Sequence, residues 1–152
     1  MRILSAQEAR EVDRVAMQEQ GVPGVTLMKN AGRAVAEKVG SITDGGKVGI
    51  LCGKGNNGGD GYACASFLNE MEIECDLIST IPEGEITGDA RHLHDECRGK
   101  GIRFNHAQHV KEVDLGDFNL IVDGLLGTGI SGDVKPDAAE WIEAMNSTSS
   151  AV

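Results

Sequence analysis

Residues 47–61 read K-V-G-I-L-C-G-K-G-N-N-G-G-D-G. The run "VGILC" is short and continuously apolar, as expected of a strand covered on both faces. Gly53, Gly55 and Gly58 follow it at the G-x-G-x-x-G spacing of a strand-to-helix turn. The pattern recurs downstream. "NLIVDGLL" (119–126) is a second buried-strand run, and "GTGISGD" (127–133) repeats the glycine spacing at Gly127, Gly129 and Gly132. A turn between strand and helix aims free backbone N–H groups and the positive end of the helix dipole at one spot. An acidic chain with two such turns can therefore hold an anionic group without a basic patch.

Outward from these turns the pattern alternates between strand and helix. Ser5 and Glu8 form the S-x-x-E capping box, and Ala9, Val12, Ala16 and Met17 follow at helical spacing until Gly21 and Pro23. A second helix is expected to start at Thr26, with Leu27, Ala31, Ala34, Val35 and Val39 on its inner face, and to stop near Gly40. "YACASFLNE" (62–70) reads as a helix with Ala63, Phe67 and Leu68 inward. "IECDLIS" (73–79) reads as a strand, and 87–101 as a helix capped by Thr87. "IRF" (102–104) is a short strand, residues 105–117 are mixed, and "PDAAEWIEAMN" (136–146) is a helix opened by Pro136. The order implies a single α/β domain over residues 1–152. Its expected form is a three-layer, doubly wound, Rossmann-like sheet, mostly parallel, with extra N-terminal helices. The closing "SSAV" reads as the start of another strand, so the fold is expected to continue beyond Val152.

Composition narrows the partners. The chain has 152 residues, a net charge of -10, and only three Phe, one Trp and one Tyr, so its core must come from aliphatic side chains. The negative charge opposes nucleic acid and anionic membrane alike. No signal peptide or membrane span is evident. The four cysteines, at 52, 64, 75 and 97, form no C-x-x-C pair and read as reduced, buried thiols of a cytoplasmic protein. His92, His94 and Cys97, with His106 and His109 beyond, lack metal-ligand spacing, and the histidines read as part of a solvated helix face.

The side chains of the first turn do not suit a plain dehydrogenase. Asn56, Asn57 and Asp60 crowd a place where a pyrophosphate needs small neighbours, and the acid expected about 20 residues on is represented only by Glu74 or Asp76. No G-K-[ST] follows, which excludes a kinase-type P-loop. Asp123 ends "NLIVD" at the same sheet edge. Amide, carboxylate and turn oxygens from Asn57, Asp123 and their neighbours would suit a hard cation, a monovalent one better than Mg²⁺. On the other reading Asp60 caps its helix and Asp123 accepts backbone N–H bonds in its own turn.

With these residues in place the chain resembles the N-terminal YjeF family, the NAD(P)H-hydrate epimerases. The resemblance lies in "AQEAREVDR" (6–14), "LMKNAGRAVAE" (27–37), the loop 53–61 and the segment from Asp123 to Gly132. It implies an isomerase of nicotinamide nucleotide repair that interconverts the R and S forms of hydrated NADH and NADPH. It implies that Asn56, Asn57, Gly58, Gly59 and Asp60 contact the substrate. Gly127, Thr128, Gly129, Ile130, Ser131, Gly132 and Asp133 would hold its phosphates, and Asn57 and Asp123 would bind a potassium ion. A D-x-P-S-G segment with the acid/base Asp is expected beyond Val152, and Lys29 stands where relatives often carry Glu. A homodimer, and fusion to or cooperation with an NAD(P)H-hydrate dehydratase, are further implications. Two other functions fit parts of the pattern, a non-catalytic interaction scaffold and a nicotinamide-dependent oxidoreductase.

Overall fold

The computed structural model describes residues 4–152. Four strands, β1 (Val48–Cys52), β2 (Cys75–Ser79), β3 (Arg103–His106) and β4 (Leu120–Gly124), form one sheet in the order β3-β2-β1-β4. Every pairing is parallel, with Leu51 opposite Ile78 on one side and Asp123 on the other. Helices α1 (Ala6–Gln18), α2 (Gly24–Ile42), α3 (Asn56–Glu70), α4 (Gly88–Gly99) and α5 (Pro136–Ser147) complete the described chain. The expected α/β class and parallel sheet are present. Ala151 forms a parallel bridge to Leu120, so "SSAV" does begin to pair along the free edge of β4.

The central strands β1 and β2 are buried on both faces, β4 is partly so and the edge strand β3 is largely exposed, and the alternation of side chains divides the core in two. Ile50, Cys52 and Leu77 point into a cluster with Met28, Tyr62, Leu68 and Leu93 from α2, α3 and α4. Leu51, Ile78 and Ile121 point the other way, against Trp141 and Met145 of α5 with Leu115 and Phe118. Helices thus cover both sides of the sheet. The chain runs outward from β1 to β2 and β3, then returns to place β4 on the other side of β1. The strand order therefore reverses between β1 and β4, and in open α/β sheets ligands bind in the crevice beyond that point.

Three local expectations need correction. Helix α2 begins at Gly24, because Pro23 (φ -60°, ψ 140°) is its N-cap, so Thr26 caps nothing. Its buried face is Met28, Gly32, Ala36 and, as expected, Val39, while Leu27 is half-buried and Ala31, Ala34 and Val35 are exposed. The periodicity is helical in both readings, but closeness, not side-chain bulk, decides the face. Gly32 lies so near the backbone of Ala63 and Cys64 that a Cβ there would meet the Cys64 nitrogen at 2.6 Å. The small residues of α2 are the ones that let it lie against α3. Helix α1 keeps its capping box but has no buried residue, and Val12 and Met17 face outward. On α4, Cys97 is buried as expected, but His94 is buried with it and His92 alone of the two histidines is solvated. The apolar stripe of Ala90, Leu93 and Cys97 carries His94 inward with it.

Lys29 falls in the second turn of α2 and ion-pairs with Glu96 of α4 at 2.7 Å. The acidic neighbour offsets its otherwise unfavourable place near a helix N-terminus. All four cysteines are free and buried, and burial pushes the Cys64 and Cys97 thiols up to about 12. Gly32→Val is expected to force α2 away from α3, since two methyl groups would need space already filled by backbone. Overpacking of this kind costs about 1–3 kcal/mol or more. Urea denaturation would read it as a lower midpoint, and an unchanged midpoint would refute the close contact.

Candidate functional site

The first turn is shorter than its sequence suggests. Helix α3 begins at Asn56, directly after Gly55, whose φ of 94° is a left-handed conformation that glycine adopts without strain. "NNGGD" is thus the opening of the helix and not a loop before it. Asp60 lies inside the helix and does not cap it. No side chain caps the N-terminus, and the first intrahelical bond in the turn runs from the Gly59 N–H to the Gly55 carbonyl at 3.1 Å. The preceding amides of the first turn are left for another acceptor. Gly58 lies on the Gly53 carbonyl so closely that a Cβ cannot fit between them. That contact seats the helix end on the carboxyl end of β1.

The second turn is built differently. Gly127–Asp133 is a loop with a bond from the Ile130 N–H to the Gly127 carbonyl at 3.3 Å, and α5 starts only at Pro136, after the N-cap Lys135. Its glycines therefore present no helix N-terminus of their own. The two segments are tied together across the switch point. Asn57 Nδ2 donates to the Leu126 carbonyl at 3.0 Å, the Gly53 N–H donates to the Gly124 carbonyl at 3.1 Å, and a Cβ on Gly127 would meet Asn57 Cβ at 3.1 Å.

Between them lies a cavity of about 930 Å³. Lys54, Gly55, Asn56, Asn57 and Asp60 form one wall, and Leu125 to Ile130 the opposite one. Gly58 and Gly59 are buried behind the first wall, and Ser131, Gly132 and Asp133 are exposed and do not line the cavity. Ala9, Arg10 and Asp13 of α1 close a third side, which sequence reasoning missed. Arg10 donates to the Thr128 carbonyl at 2.7 Å and so fastens α1 to the glycine loop.

Asp60 is the titratable group of chemical interest. Burial, and then the neighbouring Asp13 carboxylate, push its carboxyl up to about 6. Asp123 is exposed at the end of β4, and its Oδ1 accepts the Leu125 N–H at 2.9 Å. Among the described residues the second carboxylate oxygen has no hydrogen-bond partner, nor has the amide oxygen of Asn57, whose nitrogen is the atom bonded to Leu126. Asp76 is out of the question as a ribose ligand. It lies one residue into β2, away from the cavity, where Lys47 holds it at 2.6 Å.

Residues 24–152 match the family described as YjeF-related protein N-terminus. The chain is 37% identical over 147 residues to an NAD(P)H-hydrate epimerase of Rhodopirellula baltica, covering 96% of this chain and 60% of that protein. It is 33% identical over 166 residues to an NAD(P)H-hydrate epimerase of Elusimicrobium minutum, covering 99% and 72%. A bifunctional NAD(P)H-hydrate repair enzyme Nnr of Methanothermobacter thermautotrophicus is 35% identical over 133 residues, covering 83% of this chain and 25% of that one. The chain thus spans 60% or less of the length of two of these three proteins. The crystal structure of yeast ynu0, YNL200c, superposes with a TM-score of 0.79 over 97% of this chain and 68% of that one, at 23% identity, and shows the same fold.

The raised Asp60 carboxyl makes a thermodynamic prediction. An unfolded Asp binds its proton near pH 3.9. The folded state binds it more tightly, so this contribution to stability is full below about pH 4 and is lost as pH rises through about 6. Asp60→Asn should therefore gain about 1 kcal/mol at pH 7.5, discounted for partial exposure, and flatten the pH dependence between 4 and 6. Denaturation at a series of pH values reads both, and an unchanged profile would reject the assignment.

Proposed function

The chain belongs to the family of YjeF-related protein N-termini, and from that premise we propose that it takes part in NAD(P)H-hydrate epimerisation, the activity for which its relatives are named. The observation that carries the reading is one of placement. The free amides of α3, the glycine loop after β4 and the Asp60 carboxyl, pushed up to about 6, all face one cavity at the switch point of the sheet. The amides suit the phosphates of the nucleotide, and Leu126 and Ile130 offer exposed apolar surface to a ring.

The reacting carbon of a hydrated nicotinamide bears a hydroxyl and is bonded to the ring nitrogen. A protonated Asp60 gives its proton to that hydroxyl, the nitrogen lone pair expels it as water, and the C–N bond gains double-bond character. Water then adds to the opposite face and gives its proton to a second carboxylate on that side, and solvent returns a proton to Asp60. A group that must both give and take a proton works best with a pKa near the operating pH, which is where burial and Asp13 bring Asp60. The second carboxyl of the acid/base pair is proposed on a D-x-P-S-G segment, a motif that residues 1–152 do not contain.

The uncommitted oxygens of Asn57 and Asp123 lie on adjoining segments, since the Asn57 backbone packs against Gly124. They fit a weakly charged hard cation, and potassium is the ion proposed. Bound there, it would supply positive charge beside the phosphates. The chain's own residues do the rest: Asn57 holds the β4 loop, and Asp123 fixes the turn through Leu125.

The R hydrate of NADPH, supplied to a chain that extends past Val152, should convert to the S form measurably faster in potassium than in choline buffer. Asp123→Ala should slow conversion about tenfold or more and remove the potassium effect. Asp60→Asn should slow it by about 10²–10⁴, the usual worth of a general acid. Absence of conversion in every buffer would reject the epimerase reading. Conversion indifferent to potassium would reject only the cation.

A further inference from the structure

A cluster apart from the cavity carries chemistry that the epimerase reading does not use. Glu83 opens the 3₁₀ turn Glu83–Glu85 after β2, His94 lies on α4, and His106 ends β3. One donor atom from each lies within 4.8 Å of the others. We propose that Glu83, His94 and His106 form a three-ligand site for a divalent transition-metal ion of the zinc class, with a fourth position open to water.

The buried histidine is the reason. The side chain of His94 is wholly buried, and its Nε2 has no hydrogen-bond partner among the described residues. A buried polar atom without a partner has lost its hydration with nothing in return, so it calls for an explanation. The Nδ1 atom lies 2.9 Å from the Asp95 carboxylate. That bond places the proton on Nδ1 and leaves a lone pair on Nε2, directed into the cluster. A carboxylate holding the far nitrogen of a metal-ligating histidine is the usual support for such a ligand, because it fixes the tautomer and makes the imidazole more basic.

The rings around it hold this orientation. Tyr62 and Phe104 pack edge-on against His94 at 5.5 and 4.8 Å between centroids. His106 stacks on Phe104 at 5.8 Å and stands 5.9 Å from His94. Arg91 and Arg98 both bind Oε1 of Glu83, at 3.3 and 3.1 Å. Oε2 is thereby turned towards His106 Nε2, 4.0 Å away. Ligand atoms of a tetrahedral zinc stand about 3.3 Å apart, so the site closes by rotation of Glu83 and His106, the two more accessible ligands, about a fixed His94.

The donor set selects the ion. Two imidazoles and one carboxylate are a borderline-soft set that favours zinc and its first-row neighbours over Mg²⁺, Ca²⁺ or potassium. It therefore differs in chemistry from the oxygen site at Asn57 and Asp123. Its existence is also independent of the epimerase reading.

The test is direct binding to the folded protein, stripped with chelator and kept in potassium buffer. Zn²⁺ is titrated against a competing chromophoric chelator, and Co²⁺ is followed by its visible absorption. One equivalent is expected, with the intense visible bands of four- or five-coordinate Co²⁺. His106→Ala and Glu83→Gln should each weaken Zn²⁺ binding at least tenfold, with the native circular dichroism retained. His92→Ala, on the exposed face of the same helix, should bind as the parent does. A thermal shift on adding Zn²⁺ should appear in the parent and shrink in His106→Ala. Failure of the parent to bind, undiminished binding by His106→Ala, or a thiolate-to-cobalt charge-transfer band would each overturn the proposal.

Discussion

The contact between Gly58 and the Gly53 carbonyl sets the geometry on which the rest of this structure depends. It permits α3 to begin only three residues after β1 ends, with Gly55 absorbing the reversal in a left-handed conformation. A helix that starts so abruptly has its N-terminal amides at the carboxyl edge of the sheet. Its flank is then free to pack on α2 and α4, where Gly32, Ala63 and Cys64 meet almost backbone to backbone. The same glycine-rich sequence therefore serves two masters. It builds the helix pair on one side of the sheet and exposes the anion-facing turn at its edge.

From that seat the cavity follows. The chain leaves β1 through α3 in one direction and returns through β4 on the other side, so a crevice must open between them. Asn57 then spans the crevice from α3 to the Leu126 carbonyl and sets its width at the base. Arg10 reaches over from α1 to the Thr128 carbonyl and sets it at the rim. Each of these bonds joins a segment to one more than 65 positions away in the chain. They are the non-local part of the site.

That distinction explains how much could be read from the sequence. Strands β1 and β4, the capping box at Ser5 and Glu8, and the convergence of both glycine stretches on one edge were legible, because each follows from local patterning and sheet topology. The inner face of α2 was not. Apolar periodicity gives the right spacing, but a stripe of Gly and Ala looks weaker than the stripe of Leu and Val one residue away, although only the former fits against α3. His94 escaped for the opposite reason. A polar residue beside an aspartate reads as solvated until the tertiary fold shows Tyr62 and Phe104 closing over it. The start of α3 at Asn56 was hidden by its own composition, since two Asn and two Gly disfavour helix in isolation.

A weak helix start has a consequence for chemistry. The opening turn of α3 is held by packing and by the Gly53 contact, not by propensity or a capping side chain, so no side chain takes up its amides. Asp60 sits one turn further in, where the dipole of those amides favours its charged form while burial and Asp13 favour the neutral one. Burial and Asp13 outweigh the dipole and raise the carboxyl to about 6. An anion bound at the amides would add negative charge and raise Asp60 further, so substrate binding itself would help to keep the proton in place until the hydroxyl needs it.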